Sequence, residues 1–346
     1  MKKPVIILDG SQGEGGGQIV RSAVTLSCIT GQAVRVEKVR AGRKTGGLRP
    51  QHVAAIRAAA ELCDAEVKGV AVGSAAITFA PRAAMRAGVY EWAVGTAGSA
   101  ALVLQTVLLP LALAEGRSEV RVHGGTHVPH SPSGHYVRDV YAPALLELGA
   151  EVEIYVSGYG WIPQGGGTLS AYAGGGARLR GVNGRERGQL ERVFGAAVGC
   201  NLPAHIPQRM ANRARNLLAP HLLGVTVDIR PQRVRSVSTG AGIFLAAEYS
   251  NGRGGVGVLG RQGMPSEVVA ERAVQALLAF HDSGAAVDRH LADQLILPLA
   301  LAEGPSALHV EAITSHCRTQ AAVVRAFLPR GIHLDEHTQT ITIEAT

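Results

Sequence analysis

Apolar residues along the chain recur with helical spacing in some segments and form short strand-like runs in others. Helical spacing begins at Gln18, continues at 52–62 and 136–148, and returns at 321–328. Strand-like runs lie between these segments, for example at 34–36 and at 333–344. This alternation predicts an α/β (α+β) protein in which helices pack on small sheets.

One part of this pattern is repeated almost letter for letter. The sequence LPLALAEG occupies 109–116 and occurs again at 297–304, and a fainter copy of the surrounding pattern starts at Gln18. Each copy has the order helix, strand, loop, helix, strands. The chain is therefore predicted to contain three structural repeats.

The step from the second repeat to the third exceeds the first step by roughly 100 residues, which is enough for a small domain. We place this insert at 185–283 and the three-repeat domain at 1–184 and 284–346. Inside the insert, the pattern predicts helices at 208–218 and 266–280 and strands at 226–229 and 243–249. The glycines at 251–257 predict a turn.

Composition narrows the class of protein. The net charge is +7, which favours a phosphate-bearing partner only weakly. The four cysteines have no C-x-x-C spacing, so no zinc or redox motif is visible and a reducing, cytoplasmic location fits best. The N-terminus does not have the form of a signal peptide. The longest apolar stretch, 100–114, is too short to span a membrane and is typical of a buried helix.

The loop DGSQGEGGGQ at 9–18 is the first candidate site, because it follows a strand-like run and precedes a helix. Glycine N–H groups beside a helix N-terminus form an anion cradle. A carboxylate such as Glu14 among phosphates commonly holds a divalent metal. The loop is neither a Walker A nor a Rossmann motif, and a plain connecting turn is the alternative.

Phosphate-binding residue types also cluster at 40–52. Arg40 and Arg43 flank Gly42, while Gln51 and His52 open the next helix, where backbone N–H groups are available to anions. The alternative is a basic loop on a basic protein.

Polar pairs occur at matching positions of two otherwise apolar helices, Gln105-Thr106 in the second repeat and Asp293-Gln294 in the third. A buried acid is costly unless it is paired or bound to metal, so both pairs are predicted to face a cleft. An exposed first helical turn, with Asp293 near the helix start, is the alternative.

Equivalent loops of the three repeats, at 40–43, 126–132 and 314–316, can line one cleft, although three separate surfaces are also possible. His316 closes the last of these loops. Histidine can attack phosphorus, act as a general base or do neither. Four histidines lie at 123–135, but their spacing fits no recognised metal scaffold.

Five stretches together resemble the RNA 3′-terminal phosphate cyclases: DGSQGEGGGQIVRSAVTLS, RAGRKTGGLRPQH, GTHVPHSPSGHYVRDV, HLADQLILPLAL and SHCRTQAAVVRAF. The resemblance covers nearly the whole chain and is weakest in the insert. It implies three repeated βαβαββ units, like the C-terminal domain of translation initiation factor three, plus a small inserted α/β domain.

The resemblance also implies a reaction on RNA 3′-phosphate ends. A histidine attacks the α-phosphate of ATP and releases pyrophosphate, with Mg²⁺ or Mn²⁺ present. AMP then passes to the RNA 3′-phosphate, and the neighbouring 2′-OH closes a 2′,3′-cyclic phosphate and expels AMP. The 2′-OH requirement explains RNA rather than DNA for the last step.

The resemblance assigns site positions on this sequence. The nucleophile falls on His316 and the metal position on Glu14. Positions that bind phosphates of ATP or the RNA end fall on Gln18, Arg21, Arg40, Arg43, Gln51 and His52. Nucleotide positions fall on Gln105, Pro132, His290, Asp293 and Gln294, with Pro132 and His290 enclosing the adenine. The chain departs from the family at two positions. Better-known bacterial members carry tyrosine at the position of His290, and family members often carry asparagine at the position of Gln320.

Two other functions are compatible with such repeats. One is a catalytically silent RNA-binding relative that assists ribosome biogenesis, and the presence of His316, Glu14 and Asp293 argues against it. The other is a small-molecule transferase of the enolpyruvyl type, whose chemistry gives no reason for a histidine nucleophile. The sequence leaves open the cellular RNA, the oligomeric state, the insert's role and any action on DNA or 5′-phosphate ends.

Overall fold

The computed structural model describes residues 4–13 and 16–345. The chain begins with β1 (Ile6–Asp9), α1 (Gln18–Thr30), β2 (Val34–Glu37), α2 (Pro50–Leu62), β3 (Glu66–Lys68) and β4 (Ile77–Ala80). It continues with β5 (Val89–Ala93), α3 (Ala100–Leu113), β6 (Ser118–Gly124), α4 (Gly134–Tyr136), a π-helical segment (Val137–Tyr141), α5 (Ala142–Glu147), β7 (Val152–Gly158) and β8 (Gly167–Ala173).

The short strand β9 (Asn183–Gly184) precedes a segment with its own sheet and helices. That segment contains β10 (Leu190–Cys200), α6 (His205–Leu218), β11 (Thr226–Val234), β12 (Gly240–Tyr249), β13 (Gly252–Leu259) and α7 (Ser266–Asp282). The chain ends with α8 (Arg289–Leu301), β14 (Ser306–His309), α9 (Ser315–Phe327), β15 (Ile332–Asp335) and β16 (Thr340–Ile343). This is the mixed α/β composition that the apolar pattern predicts.

Three of the four-stranded sheets share one strand order and one set of strand directions. Their orders are β1-β2-β4-β3, β5-β6-β8-β7 and β9-β14-β16-β15, whereas the fourth sheet has the order β11-β10-β12-β13. In each of the three, the first pair is parallel and the other two pairs are antiparallel. Strand β9 lies before the fourth sheet in sequence and pairs with β14, which lies after it.

Buried apolar residues form one large core and a separate smaller one. The large core joins the helices of the three similar sheets, including α1, α3 and α8. The smaller core lies between the fourth sheet and helices α6 and α7. Trp161 packs with Ala196, Val198, Cys200 and Phe244 where the two parts meet. Among the described residues, no helix is long and apolar enough to cross a bilayer.

Local sequence fixes the ends of the helices that carry the site. The side chains of Ser99, Asp288 and Thr314 accept hydrogen bonds from backbone N–H groups and so cap α3, α8 and α9. Helix α1 packs against α2, α3 and α9, and α8 packs against α9. Asp288 is therefore the cap of α8, and Asp293 lies in the second turn, half-buried, rather than in an exposed first turn.

Two element predictions are wrong. The last repeat's second helix begins at Ser315, not at 321, so His316 lies in the first turn of α9 rather than in a loop. The predicted turn at 251–257 is mostly strand β13. Its glycines permit close packing: a Cβ on Gly254 would lie 2.4 Å from Phe280 Cε1, and one on Gly255 would lie 2.7 Å from Val140 Cγ2. Glycine is typical of turns, but in β13 its missing side chain lets neighbouring groups pack against the strand backbone.

Substituting Gly254→Ala is expected to destabilise the protein by about 1–3 kcal/mol, because the new methyl group overlaps the Phe280 ring. Denaturant unfolding followed by fluorescence measures the loss. The double substitution Gly254→Ala with Phe280→Leu removes the overlapping ring edge. If overlap is the cause, the two substitutions are less than additive, whereas full additivity would contradict it.

The histidines at 123–135 form no common metal site. His123 lies on the inner strand β6 and contacts Glu91 of β5 and Thr168 of β8. His127 Nε2 lies 2.8 Å from His135 Nδ1, and both rings are buried among Tyr159, Trp161 and Phe244. Burial lowers the pKa of His127 well below its usual value and lowers that of His135 to about 3. The pair is therefore neutral at pH 7.

This buried pair predicts a loss of stability in mild acid. Both pKa values are depressed in the folded state, so the pair's contribution is complete above about pH 6.5, where unfolded histidine is neutral. It declines as pH falls towards 3. Protonation of His135 in the unfolded state lowers the free energy of unfolding by about 2 kcal/mol at pH 5 relative to pH 7. Denaturant unfolding between pH 7.5 and 5 measures this slope. His135→Leu is expected to reduce the slope.

Candidate active site

A cavity of about 1040 Å³ lies where the starts of several helices meet the insert sheet. Every predicted site residue that the structure describes contributes to its lining: Gln18, Arg21, Arg40, Arg43, Gln51, His52, Gln105, Pro132, His290, Asp293, Gln294 and His316. Glu14 lies outside the described residues. Residues from all three loops predicted to share a cleft are present in this one cavity.

His316 is oriented by the side chain of Gln18, which projects from the first turn of α1. His316 Nδ1 lies 2.7 Å from Gln18 Oε1. The Gln18 amide nitrogen donates to Asp293 Oδ2 at 3.0 Å, to the His316 carbonyl at 3.3 Å and to Gln320 Oε1 at 3.3 Å. Three acceptors around that nitrogen set the orientation of the amide, so its oxygen must face the imidazole.

This orientation determines the tautomer of His316. Because Gln18 Oε1 is an acceptor, Nδ1 must be the protonated nitrogen and donate to it. In the neutral ring the lone pair then lies on Nε2. Gln320 contributes to this arrangement, since Ser22 Oγ donates to its Oε1 at 2.6 Å and fixes that oxygen beside Gln18.

The polar pairs of the two apolar helices meet only in part as predicted. Gln105 Nε2 donates to Gln294 Oε1 at 2.6 Å, and Asp293 lies beside Gln18, all on the cavity wall. Thr106 does not face the cavity, because it is buried and donates to the Leu102 carbonyl within its own helix.

Positive charge is concentrated on one wall. Burial lowers the pKa of Arg21 to about 10, and Asp293 opposes the shift, so the guanidinium remains protonated at neutral pH. Burial, followed by repulsion from Arg49 and Arg43, also lowers the pKa of Arg40. Like charges held together in this way favour a bound anion.

His52 stays neutral beside these arginines. Its Nδ1 accepts a hydrogen bond from the Arg49 N–H at 3.0 Å. Burial, and then Arg21, Arg40 and Arg49, lower its pKa to about 3. A Cβ on Gly17 would lie 2.0 Å from His52 Nε2, so only glycine allows this approach of the first loop to the ring.

Pro132 and His290 line the cavity on the side of the insert. Tyr136 approaches His290 edge-on, with ring centroids 6.5 Å apart. The Tyr136 hydroxyl donates to Asp288, the cap of α8, which holds the start of that helix and so His290. Gln51 is tied to the second repeat, because its Oε1 accepts from the Ser99 N–H at 2.9 Å.

The insert supplies a wall that the sequence did not predict. Gly255, Val256, Gly257, Val258 and Leu259 of β13 all line the cavity. Strand β13 is an edge strand, and Arg253 N and Gly255 N donate away from β12, to Ala286 O and Asp288 Oδ2. By alternation, Gly257 and Leu259 also direct backbone groups away from β12, towards the cavity. Because the glycines at 251–257 predicted a turn, nothing in the sequence indicated that a strand there lines the cavity.

The described residues do not complete a metal site. Among 4–13 and 16–345, no group of three or more His, Cys, Asp or Glu side chains could hold a metal ion. Glu14, the predicted metal position, lies outside the described residues, so the metal site stays a prediction.

A cavity with clustered arginines and an oriented histidine is typical of proteins that bind a phosphorylated ligand. The chain matches the family model described as RNA 3′-terminal phosphate cyclase over residues 12–334. The RNA 3′-terminal phosphate cyclase of Nostoc punctiforme is 47% identical over 99% of each chain. That of Methylococcus capsulatus is 49% identical over 92% of this chain and 90% of its own, and that of Archaeoglobus fulgidus is 40% identical over 96% and 98%.

The chain belongs to the RNA 3′-terminal phosphate cyclase family, and it is an enzyme of that class. The enolpyruvyl transferase NikO from Streptomyces tendae, a solved structure, covers 49% of this chain at 14% identity with a TM-score of 0.28. That likeness is too small to support the transferase alternative.

Proposed function

We propose that this enzyme converts RNA 3′-phosphate ends to 2′,3′-cyclic phosphates through AMP bound covalently to His316. Nε2 attacks the α-phosphorus of ATP, the bond from that phosphorus to pyrophosphate breaks, and a P–N bond forms. An oxygen of the RNA 3′-phosphate then attacks the same phosphorus, and Nε2 regains its electron pair. Finally the 2′-OH attacks the RNA phosphorus, loses its proton and expels AMP.

The contact between Gln18 and His316 is the observation that carries the proposal. It leaves the lone pair on Nε2, which is the condition for nucleophilic attack. It also stabilises the adenylylated ring, because an imidazolium formed at Nε2 donates more strongly through Nδ1. Asp293 polarises the Gln18 amide from its other side at 3.0 Å.

We assign the remaining residues by their position around the cavity. Arg21, Arg40 and Arg43 neutralise phosphate charge, which is the main requirement of phosphoryl and nucleotidyl transfer. Gln51 and His52 lie at the start of α2 on the same wall. Gln105, Asp293 and Gln294 bind the nucleotide, and Pro132 and His290 enclose its base. Glu14 would hold the metal, Mg²⁺ or Mn²⁺, which supplies charge neutralisation at the phosphates.

The free edge of β13 gives a reason for ATP rather than GTP. The C=O of Gly257 and the N–H of Leu259 match the donor N6 and acceptor N1 of adenine, whereas guanine presents the reverse pattern. Mispairing leaves buried polar groups unsatisfied, at about 1–3 kcal/mol. We therefore expect kcat/KM for the first step to be about 10- to 100-fold higher with ATP than with GTP. Equal values would contradict this placement of the base.

The sheets support the proposed domain organisation. Three sheets with one strand order are what three βαβαββ repeats, as in the C-terminal domain of translation initiation factor three, would produce. Pairing of β9 with β14 across the insert supports a domain at 185–283 placed within one at 1–184 and 284–346.

Four buried cysteines present as thiols support a reducing, cytoplasmic location.

The test uses ATP labelled at the α-phosphate with Mg²⁺ or Mn²⁺. We expect acid-labile label on the wild-type protein, none on His316→Asn and full labelling of the exposed control His337→Asn. Labelled protein should then form cyclic phosphate when RNA with a 3′-phosphate is added. Undiminished labelling of His316→Asn would refute the proposed nucleophile, and a wild type that takes no label would favour the catalytically silent alternative.

A further inference from the structure

The loop 38–49 at the cavity mouth has a fixed shape. Val39 and Leu48 are fully buried at its two ends, and Gly47 N donates to Val39 O at 2.8 Å. The Arg40 guanidinium donates to the carbonyls of Thr45 and Gly47 at 2.9 and 3.0 Å. The exposed residues 41–46 therefore form a tip that is held from below rather than a loose connection.

This loop carries charge that nearby acids do not balance. Residues 38–49 contain five Lys or Arg (Lys38, Arg40, Arg43, Lys44 and Arg49) and no Asp or Glu. Lys38 pairs with Asp9 at 2.9 Å. Lys44 and Arg49 are exposed, and neither has an ion pair within the described part of the chain. Exposed arginines elsewhere, such as Arg209 and Arg318, pair with carboxylates.

The position of these two cations suggests what they bind. Arg49 is both exposed and part of the cavity lining, whereas Lys44 lies on the exposed tip and is not among the lining residues. If the RNA 3′-phosphate sits inside, the rest of the RNA must leave through the mouth with one negative charge per nucleotide. A single-stranded backbone follows such cationic grooves.

We infer that Lys44 and Arg49 bind the phosphodiesters that precede the 3′-terminal nucleotide of single-stranded RNA. This inference rests on the proposed function and adds the surface that holds the polynucleotide. Arg21, Arg40 and Arg43 act on the reacting phosphates, whereas Lys44, which is not among the cavity-lining residues, acts only on the upstream chain. Arg49 belongs to the cavity lining as well as to the loop.

The test compares Lys44→Gln, Arg49→Gln and the double variant with Arg57→Gln, an exposed α2 residue outside the cavity lining. With an RNA oligonucleotide 3′-phosphate, each single variant is expected to raise KM about fivefold to tenfold. The slope of log affinity against log salt should fall in magnitude by about 0.7 for each lost contact. With a nucleoside 2′-OH,3′-phosphate, which has no upstream phosphodiester, the KM of Lys44→Gln should stay within twofold of wild type.

Labelling of His316 by ATP is the readout that separates this surface from the reaction centre. It should be unchanged in Lys44→Gln, because Lys44 is not among the cavity-lining residues. A loss of labelling in Lys44→Gln would mean that this residue holds the triphosphate, and RNA KM values of both single variants equal to that of Arg57→Gln would also overturn the inference. If the wild type takes no label, the proposed function fails, but fluorescence anisotropy with the same oligonucleotide and its salt slope still tests the surface.

Discussion

Replacing Gln18 with leucine is expected to slow transfer of AMP from ATP to His316 by about 100-fold while ATP still binds with similar affinity. The leucine cannot accept from Nδ1, so the proton is no longer held there and the lone pair is no longer confined to Nε2. Single-turnover labelling at several ATP concentrations separates the rate of transfer from binding. Gln208→Leu, an exposed change on α6, is the control.

Two further variants make this prediction specific. Gln18→Glu places a carboxylate 2.7 Å from Nδ1 and should raise the pKa of His316, so the acid limb of the labelling rate should move to higher pH. Gln320→Leu leaves Gln18 in place but removes one acceptor that orients its amide, and a loss of about tenfold is expected. Gln320→Glu keeps that acceptor and should restore most of the rate. An unchanged rate of His316 labelling in Gln18→Leu would contradict the proposed role of the contact between Gln18 and His316.

Replacing Arg21 with glutamine is expected to lower the labelling rate by about 1000-fold, because a protonated guanidinium beside the phosphates disappears from a buried wall. Arg21→Lys keeps the charge but not the planar fork, so a partial recovery is expected. The Arg21 pKa of about 10 means that its charge is nearly constant from pH 6 to 8. The wild-type rate should therefore show no Arg21 titration in that range.

Arg57→Gln is the matched control, since Arg57 is exposed on the neighbouring helix α2. Thermal unfolding of Arg21→Gln checks that a slower rate does not come from a damaged fold. If the rate falls less than tenfold in a folded variant, Arg21 does not act on the reacting phosphates.

The sequence predicted the parts of the site that lie on regular elements. The helix at 52–62, the polar position at 105 and the pair at 293–294 lie close to where their apolar spacing placed them. Helical spacing determines which side a residue faces, so a polar residue on an apolar helix is informative when the helix is buried. The motifs around Arg40 and His316 carried the resemblance to the family that the comparisons confirm.

The contributions of the insert were not predictable from local pattern. Glycines at 254, 255 and 257 read as a turn, yet each allows close packing in an edge strand, and only the distant Phe280, Val140 and Phe244 show why. The partners of Gln18 lie about 300 residues away in sequence, on α8 and α9. Spacing within one element cannot reveal which tautomer such a long-range contact selects.

Intact-protein mass spectrometry after incubation with ATP and Mg²⁺, followed by peptide mapping at neutral pH, tests the central claim most directly. We expect a mass increase of one AMP, located on the peptide that contains His316, and its disappearance when RNA with a 3′-phosphate is added. AMP on a different residue, or cyclic phosphate formed at full rate by His316→Asn, would contradict it.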